Sequence, residues 1–380
     1  NGLTLGAVLL ISLLILKNEK VDTKMEVKRK EALNILRDGC VIPATPLVLK
    51  DDRTFDEKGQ RLLMQYYLNA GVGGIATAVH STQFEIRNRG IDLFEPIIRL
   101  VSREIETFEK KHQKTISRIC GVCGPVKQAV REAELALKYG YDAVLLSPGG
   151  LNDLSERELI ERTKAVTEVL PVIGFYLQKA VGGRALSYQY WEKICEIKDV
   201  IAIKCAPFNR YETMDVVRAV ANSSRCNDIT LYTGNDDNLV VDLLTPYIIP
   251  AAGENREVRF RGGLLGQWCV GTRQAVKMFE EIRRIRNEEL IPIDLLTKAV
   301  QITDINKAIF DADNGYKGCI PGIHEVLRRD GLYQNILCLD PLEVLSPGQA
   351  DEITRVYQMY PQWSDKEFIK ENIDRWRGEI

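Results

Sequence analysis

Short apolar runs recur along this chain, and each is separated from the next by a longer segment with a helical pattern of apolar positions. The eight runs read CVIPATPL, GIATAV, ISRICGV, DAVLLSP, PVIGFYL, DVIAIKCA, DITLYTG and EVRFRGG. One late residue of each run marks its position: Thr45, Ala78, Gly121, Ser147, Tyr176, Lys204, Thr233 and Gly262. These residues follow one another at spacings of 33, 43, 26, 29, 28, 29 and 29. Such a period fits one strand, one helix and two loops. The pattern therefore predicts a repeated strand–helix unit.

Helix signals mark the segments between the runs. The segment GPVKQAVREAELALKYG has Pro125 near its start and Gly140 after its end. The segment SERELIERTKAVTEVL begins with Ser155 and Glu158, the two side chains of a capping box, and stops at Pro171. Eight such units with nearly continuous apolar strands predict an α/β fold, a closed parallel (β/α)8 TIM barrel. A doubly wound open sheet is the alternative, but no G-x-G-x-x-G follows the first strand.

The barrel is predicted over residues 38–287, and the pattern differs on both sides of it. Residues 288–380 show helical periodicity without regular strands, which predicts a helical C-terminal extension packed on the barrel. Residues 1–37 are predicted to be a leader and a first helix. The run at 3–16 is uncharged but short for a membrane span, and its basic residues follow it, unlike those of a secretory signal. Residues 1–24 are interpreted as a non-catalytic leader or added extension, with a membrane anchor as the alternative.

Composition and charge exclude several classes of protein. The chain is 45% hydrophobic and 27% charged, as is ordinary for a globular protein in water. Its 51 basic and 53 acidic residues nearly cancel, so no nucleic-acid partner is indicated. Nine scattered cysteines fit buried thiols in a reducing compartment and predict a cytoplasmic location. The close pair Cys120 and Cys123 would face opposite sides of a strand, and we predict no metal centre and no cofactor.

The run DVIAIKCA places Lys204 in an apolar strand, next to Ile203 and Cys205. Burying an unpaired ammonium group is costly unless the group finds a partner or loses its proton. A free lysine, with a pKa of about 10.4, is almost fully protonated at pH 7, but desolvation lowers this pKa and yields a nucleophilic amine. Lys204 is therefore a candidate for imine chemistry with a ketone. The alternatives are a clamp for a phosphate or carboxylate and half of an ion pair.

In such barrels the catalytic face lies at the C-terminal ends of the strands. Tyr176 ends the strand before that of Lys204, and a phenol there would serve the proton transfers of imine chemistry. The sequence HSTQ after the second strand offers the hydroxyls of Ser81 and Thr82 and turn N–H groups, which suit a carboxylate. Further candidates for substrate binding at strand ends are Thr45, Gly262 and Gly263. The open alternatives are packing for the tyrosine, helix capping for the hydroxyl pair and a phosphate site at the glycines.

Five stretches together resemble the pyruvate-dependent class I aldolases of the dihydrodipicolinate synthase and N-acetylneuraminate lyase family. They are TPL after the first strand, HSTQFE after the second, GFYLQ on the fifth, IAIKCAP on the sixth and TGNDD after the seventh. The resemblance covers about residues 38–285. It implies that Lys204 is the Schiff-base lysine and Tyr176 the proton-shuttling phenol. It also implies that Ser81 and Thr82 bind the keto-acid carboxylate and relay protons.

The resemblance implies a metal-independent enzyme that forms a lysine imine with pyruvate or a related 2-keto acid and makes or breaks a C–C bond. The alternatives are dehydration of a keto-deoxy sugar acid through the same imine and a non-catalytic barrel that binds a keto acid. A homo-oligomer, either a dimer or a tetramer, is expected because the family is commonly tetrameric. The sequence departs from the synthase pattern at Gly149 and Gly150, where that pattern has a tyrosine pair, and near Val181, where it has an arginine. The resemblance therefore leaves the acceptor substrate open.

Overall fold

The eight apolar runs supply eight parallel strands in the computed structural model of this protein, which describes residues 26–380. The uncharged run at 3–16, and with it the predicted leader over 1–24, lies outside the described residues. In the part that the structure describes, no helix combines the length and the apolar character needed to cross a membrane. The first helix, over 26–38, leads directly into the first strand.

The described residues form ten strands, and eight of these belong to one parallel sheet. The strands are β1 (Val41–Pro43), β2 (Gly74–Thr77), β3 (Ser117–Val122), β4 (Ala143–Leu146), β5 (Val172–Leu177), β6 (Val200–Ala206), β7 (Thr230–Thr233), β8 (Tyr247–Ala251), β9 (Glu254–Val258) and β10 (Phe260–Leu265). The sheet order is β1-β10-β7-β6-β5-β4-β3-β2, and a parallel bridge between Ala44 and Ala76 joins its two outer strands. At this joint the N–H of Thr45 donates to the carbonyl of Ala76 at 2.8 Å. The predicted (β/α)8 barrel is confirmed.

The connection between β7 and β10 differs from the predicted single helix. It contains a short helix, Leu239–Leu244, and then an antiparallel hairpin formed by β8 and β9. The two turn residues, Ala252 and Gly253, both have positive φ, at 52° and 84°. Such a pair suits a two-residue hairpin turn that follows the twist of its strands. The eighth apolar run is therefore divided between the end of β9 and the start of β10, which corrects the sequence-based prediction.

Helices alternate with the barrel strands and cover the outer face of the sheet, as predicted. They are α1 (26–38), α2 (Glu57–Ala70), α3 (Phe94–His112), α4 (Val126–Lys138), α5 (Glu156–Thr167), α6 (Tyr188–Cys195), α7 (Arg210–Asn222), α8 (Leu239–Leu244), α9 (Thr272–Ile285), α10 (Asp294–Ile309), α11 (Cys319–Arg329), α12 (Gln349–Met359) and α13 (Lys366–Glu379). The capping box predicted for α5 is present, because the Ser155 hydroxyl accepts from the N–H of Glu158 and the Glu158 carboxylate accepts from the N–H of Ser155. Helices α10–α13 follow the last barrel helix and form a C-terminal extension.

The extension shares a continuous apolar core with the barrel. Trp376 on α13 is fully buried and packs on Tyr66 of α2, with 6.3 Å between the ring centroids. Asp365, just before α13, is also fully buried and accepts a hydrogen bond from the Tyr66 hydroxyl at 2.7 Å. Its carboxylate further accepts from the N–H groups of Arg273, at 2.6 Å, and Gln274, at 3.3 Å. Since these N–H groups belong to the first turn of α9, the extension caps a barrel helix.

Replacing Asp365 by alanine is expected to lower the free energy of unfolding by about 2–4 kcal/mol, because a buried hydroxyl and two helix N–H groups lose their acceptor. Urea unfolding measures this change. The matched control is Asp374→Ala on α13, where the carboxylate is 94% exposed and the expected change is within about 0.5 kcal/mol. Equal losses in the two variants would contradict the capping role of Asp365.

Candidate active site

Lys204 lies in the second half of β6, and its side chain faces a pocket at the C-terminal ends of the strands. The residue is 8% exposed, and its Nζ lies 4.4 Å from the ring centroid of Phe175 on β5. Within residues 26–380, Nζ has neither a hydrogen-bond partner nor an ion-pair partner. Burial lowers the pKa of Lys204, and the negative charge of Asp236 opposes this shift only in part. A neutral, nucleophilic amine is therefore easier to form here than on a free lysine.

A glycine makes room for the lysine side chain. Gly234 follows β7, and a Cβ atom at this position would lie 2.5 Å from Cε of Lys204 and 2.8 Å from Cβ of Ala206. The N–H of Gly234 donates to the carbonyl of Cys205 at 2.7 Å, which holds the loop against β6. The side chain of Lys204 therefore packs directly on the backbone of Gly234, where no side chain blocks its path to the pocket.

The pocket encloses about 610 Å³ together with its mouth. Its polar lining residues are His80, Ser81, Gln178, Lys204, Asp236, Tyr316 and Cys319. Most of the remaining wall is aliphatic or aromatic. The C-terminal extension and the loop after β6 form one side of this wall with Phe208, Phe310, Tyr316 and Ile323. A pocket with one amine, one carboxylate and apolar walls suits a small organic acid.

Asp236 supplies the carboxylate of the pocket and is 7% exposed. Its Oδ1 accepts from the N–H of Gln267 at 3.1 Å, and its backbone carbonyl accepts from Nδ2 of Asn306 at 2.5 Å. In the described part of the chain, no residue other than Gln267 and Asp236 itself donates a hydrogen bond to this carboxylate. Burial raises the pKa of Asp236, and the positive charge of Lys204 offsets that rise in part. The loop after β7 therefore presents a fixed carboxyl group with one free oxygen.

His80, the first residue of the turn after β2, is a neutral group in this pocket. Burial lowers the pKa of His80 to about 4, and the positive charge of Lys204 adds to the shift. At pH 7 its neutral imidazole can donate one hydrogen bond and accept another, but it lacks the acidic proton of an imidazolium.

The Ser–Thr pair forms part of a 3-10 turn, His80–Thr82, but only its serine lines the pocket. The Ser81 hydroxyl donates to the carbonyl of Ala44 at 2.5 Å. Thr82 is fully buried, and its hydroxyl donates to the carbonyl of Thr45 at 2.7 Å. The first two N–H groups of the turn have no acceptor among the described residues. The threonine therefore holds the turn in place, while the serine and the free N–H groups remain for a ligand.

A model of the dihydrodipicolinate synthetase family matches residues 39–245. This match covers more than half of the chain and includes the lysine strand, the turn after β2 and the loop after β7. The chain belongs to the dihydrodipicolinate synthetase family. The family resemblance inferred from the sequence is thereby confirmed, whereas a comparison with curated protein sequences gave no match.

Solved structures with this fold include several members of the family. The prophage protein YagE of E. coli K12, in complex with pyruvate, is 18% identical, with a TM-score of 0.67, and the alignment covers 84% of this chain and 97% of YagE. Dihydrodipicolinate synthase DapA-2 of Bacillus anthracis is 17% identical, with a TM-score of 0.64 and coverages of 84% and 97%. CdNal of Clostridium difficile, in complex with mannosamine, is 14% identical, with a TM-score of 0.64 and coverages of 85% and 99%. At these identities the likeness shows the shared fold.

This member of the dihydrodipicolinate synthetase family does not bring Tyr176 to Lys204. The strand register pairs Phe175 with Lys204, and successive side chains of a strand face opposite sides. Tyr176 therefore points outward, where its ring lies 5.3 Å from that of Trp191 on α6 and its hydroxyl donates to the carbonyl of Leu186 at 3.4 Å. The predicted placement of a phenol beside the lysine is corrected, because a phenylalanine ring occupies that place.

Three predicted substrate-binding residues lie in the barrel wall and not in the pocket. Thr45 is fully buried at the joint between β1 and β2. A Cβ atom on Gly262 would lie 2.6 Å from the backbone of Cys40, and one on Gly263 would lie 2.5 Å from the ring of Trp268. The glycines therefore allow a neighbouring strand and an indole to approach closely, which replaces the predicted role in substrate or phosphate binding.

Sequence reasoning missed the contribution of the C-terminal extension to the pocket. Phe310, Tyr316, Cys319 and Ile323, from the end of α10 to α11, line it. Tyr316 has a φ of 67° and packs edge-to-face on Phe208, with 5.7 Å between the ring centroids. The local pattern of a helix shows which face is apolar but not which strand ends that face covers, so the sequence carried no signal for this contact.

Proposed function

We propose that this protein is a class I aldolase, a lyase or synthase in which Lys204 forms an imine with pyruvate or a related 2-keto acid. The imine withdraws electrons from its carbon atom, so that the adjacent carbon can lose a proton and make or break a C–C bond. The family membership and the pyruvate complex of the YagE relative support a keto acid as the substrate. The proposed reaction uses no metal ion and no other cofactor.

The observation that carries this proposal is the buried, unpartnered Nζ of Lys204 in a pocket for a small molecule. An ion-pair lysine would have a carboxylate within salt-bridge distance, and none of the described residues provides one. A phosphate clamp would bring further positive charge to the pocket, yet the other polar groups are a carboxyl group, a neutral imidazole, a hydroxyl, a phenol, an amide and a thiol. The amine is therefore placed better for bond formation than for charge pairing.

The turn after β2 is proposed to bind the carboxylate of the keto acid. The N–H groups of His80 and Ser81 have no acceptor within residues 26–380, and the Ser81 hydroxyl lies in the same pocket as Nζ. Oriented N–H groups that need no rearrangement are effective donors to a carboxylate. Thr82 contributes by fixing the turn through its bond to Thr45.

Exchange of the C3 protons of pyruvate in D2O, followed by NMR, tests the proposed function without an acceptor aldehyde. An imine-forming enzyme is expected to exchange these protons, because deprotonation of C3 precedes the C–C step. A protein that binds pyruvate by calorimetry but exchanges no C3 protons would support the non-catalytic keto-acid-binding barrel and overturn the enzyme.

The pocket walls formed by the extension and the loop after β6 bear on the choice between C–C bond chemistry and dehydration of a keto-deoxy sugar acid. The side chains of Phe208, Phe310 and Ile323 present no hydrogen-bonding atoms to the pocket, and the same walls add only the phenol of Tyr316 and the thiol of Cys319. A keto-deoxy sugar acid would bury several hydroxyl groups, and each hydroxyl left without a partner costs about 1–3 kcal/mol. C–C chemistry with an apolar aldehyde is therefore favoured over dehydration of a sugar acid.

A matched pair of acceptors tests this preference. With pyruvate as donor, propanal is expected to have a kcat/KM about 10-fold or more above that of glyceraldehyde, which has the same carbon chain and two added hydroxyls. Chromatography of the aldol products measures both rates. A clear preference for glyceraldehyde would contradict the apolar character assigned to this end of the pocket.

A further inference from the structure

Imine chemistry needs a group that gives and takes protons, and the position beside Lys204 offers none. The attacking amine creates an alkoxide that must be protonated, and C3 of the keto acid must later lose a proton. The phenylalanine ring at 4.4 Å from Nζ can do neither. The proton carrier must therefore come from another wall of the pocket.

Asp236 has the geometry that this role requires. One carboxylate oxygen is held by the N–H of Gln267, while the other is unpartnered among the described residues and belongs to a pocket-lining side chain. The backbone of the loop is fixed by α10, because Asn306 donates to the carbonyl of Asp236 and Thr303 donates to that of Asp237 at 2.9 Å. The side chain is thus buried, oriented and free at one oxygen.

We propose that Asp236 gives and takes the protons of the reaction at the Lys204 imine, in place of a strand-five phenol. This inference rests on the proposed function and adds to it a second residue that touches the reacting atoms. Asp236, on the loop after β7, thereby performs the proton transfers that the family resemblance assigned to Tyr176 on β5.

The proton balance closes with Asp236 and a single amine. The neutral amine attacks the ketone carbon, and the electron pair of the C=O bond goes to oxygen, which takes the proton of the Asp236 carboxyl group. The carboxylate then takes a proton from the new ammonium group and gives it to the hydroxyl group. The hydroxyl leaves as water, and the nitrogen electron pair forms the C=N bond of a protonated imine. The carboxylate next takes a proton from C3, and the C–H pair forms the enamine. When the enamine attacks an aldehyde, the carboxyl group protonates the new alkoxide.

The other polar groups of the pocket fit this role less well. The Ser81 hydroxyl already donates to a carbonyl, and His80, with a pKa lowered to about 4 by burial, is not protonated at neutral pH. Burial raises the pKa of the Cys319 thiol well above its usual value, so the thiol stays protonated at neutral pH and is a poor acid. Tyr316 remains the rival, and burial together with the two aspartates also raises its pKa.

Burial moves the titration of Asp236 toward neutral pH, and the charge of Lys204 limits this shift. The titratable groups that interact with it or with Lys204 from the packed elements are Lys204, Asp237, His80, Cys269, Tyr316 and Cys319. Burial raises the pKa of Asp236 and lowers that of Lys204, so the two values approach each other. Imine formation requires the neutral amine together with the protonated carboxyl group, a state that is most populated between the two apparent values of the pair.

The test compares Asp236→Asn with Asp228→Asn, a matched change at an exposed carboxylate at the opposite end of β7 from the pocket. Exchange of the C3 protons of pyruvate is expected to slow by roughly 10²–10⁴-fold in the first variant and to stay within about twofold in the second. Asp236→Glu, which keeps a carboxyl group, is expected to recover part of the exchange. Thermal unfolding and prolonged borohydride trapping of pyruvate show that each variant keeps its fold and its amine.

The pH profile separates proton transfer from a structural role. Since the charge of Asp236 raises the pKa of Lys204, the Asp236→Asn variant is expected to trap pyruvate with a midpoint at lower pH than the wild type. Wild-type exchange in folded Asp236→Asn would overturn the inference, and so would a loss seen in Tyr316→Phe but not in Asp236→Asn. If the wild type itself exchanged no protons, the proposed function would fail before this residue was tested.

Discussion

Replacing Lys204 by alanine is expected to reduce pyruvate exchange and aldol turnover to the uncatalysed level, because no other amine lines the pocket within the described chain. The fold is expected to survive, since the change removes an amine that burial disfavours in its charged form. The unfolding temperature is therefore expected to stay unchanged or to rise. Lys204→Met, which fills nearly the same space, should give the same result.

The matched control is Lys164→Ala on α5, where the lysine is exposed and pairs with Glu161 at 2.8 Å. This variant is expected to keep the wild-type exchange rate. Substantial exchange in folded Lys204→Ala would remove the imine from the mechanism.

The wild-type rate should also rise with pH as the Lys204–Asp236 pair loses its first proton, and fall as the pair loses the second, because the reactive state combines a neutral Lys204 amine with a protonated Asp236. Burial lowers the pKa of this amine, so the rise is expected at lower pH than the value of about 10.4 for a free lysine.

Replacing Gly234 by alanine is expected to lower kcat/KM by about 100-fold while the protein remains folded. The added methyl group would lie 2.5 Å from Cε of Lys204 and 2.8 Å from Cβ of Ala206, so the lysine and the loop after β7 must both move. A displacement of about 1 Å at a reacting group is enough for a loss of this size. Steady-state kinetics with pyruvate and propanal measure the change.

Gly378→Ala near the C-terminus of α13 provides a matched control, since a Cβ atom there meets no atom within 4 Å. Its kinetics are expected to equal those of the wild type. Wild-type kinetics in Gly234→Ala would show that the position of the Lys204 side chain does not depend on a glycine at residue 234.

Much of the barrel could be predicted because each parallel strand is covered on both faces and therefore reads as a continuous apolar run. Because both faces of such a strand are apolar, the sequence does not show which side chains face the barrel interior. In the run PVIGFYL no polar residue marks the outer face, so Phe175 and Tyr176 could not be assigned to opposite sides. Only the register with β6 shows that Phe175 shares a face with Lys204.

The buried lysine was the part of the site that the sequence could reveal, because a charged residue in an apolar strand conflicts with its surroundings. Asp236 was visible as a member of the TGNDD sequence, but the same letters suit a helix cap, and its function depends on burial. The cover provided by Phe310 and Ile323 depends on the docking of α10 and α11 over the strand ends, and no local pattern encodes that docking.

Borohydride reduction of the wild-type protein in the presence of pyruvate, followed by peptide mapping by mass spectrometry, shows directly whether Lys204 forms the imine. We expect one reduced pyruvyl group per chain, attached to Lys204 and formed only when pyruvate and borohydride are both present. The absence of an adduct, or an adduct on a different lysine with Lys204 unmodified, would contradict this expectation.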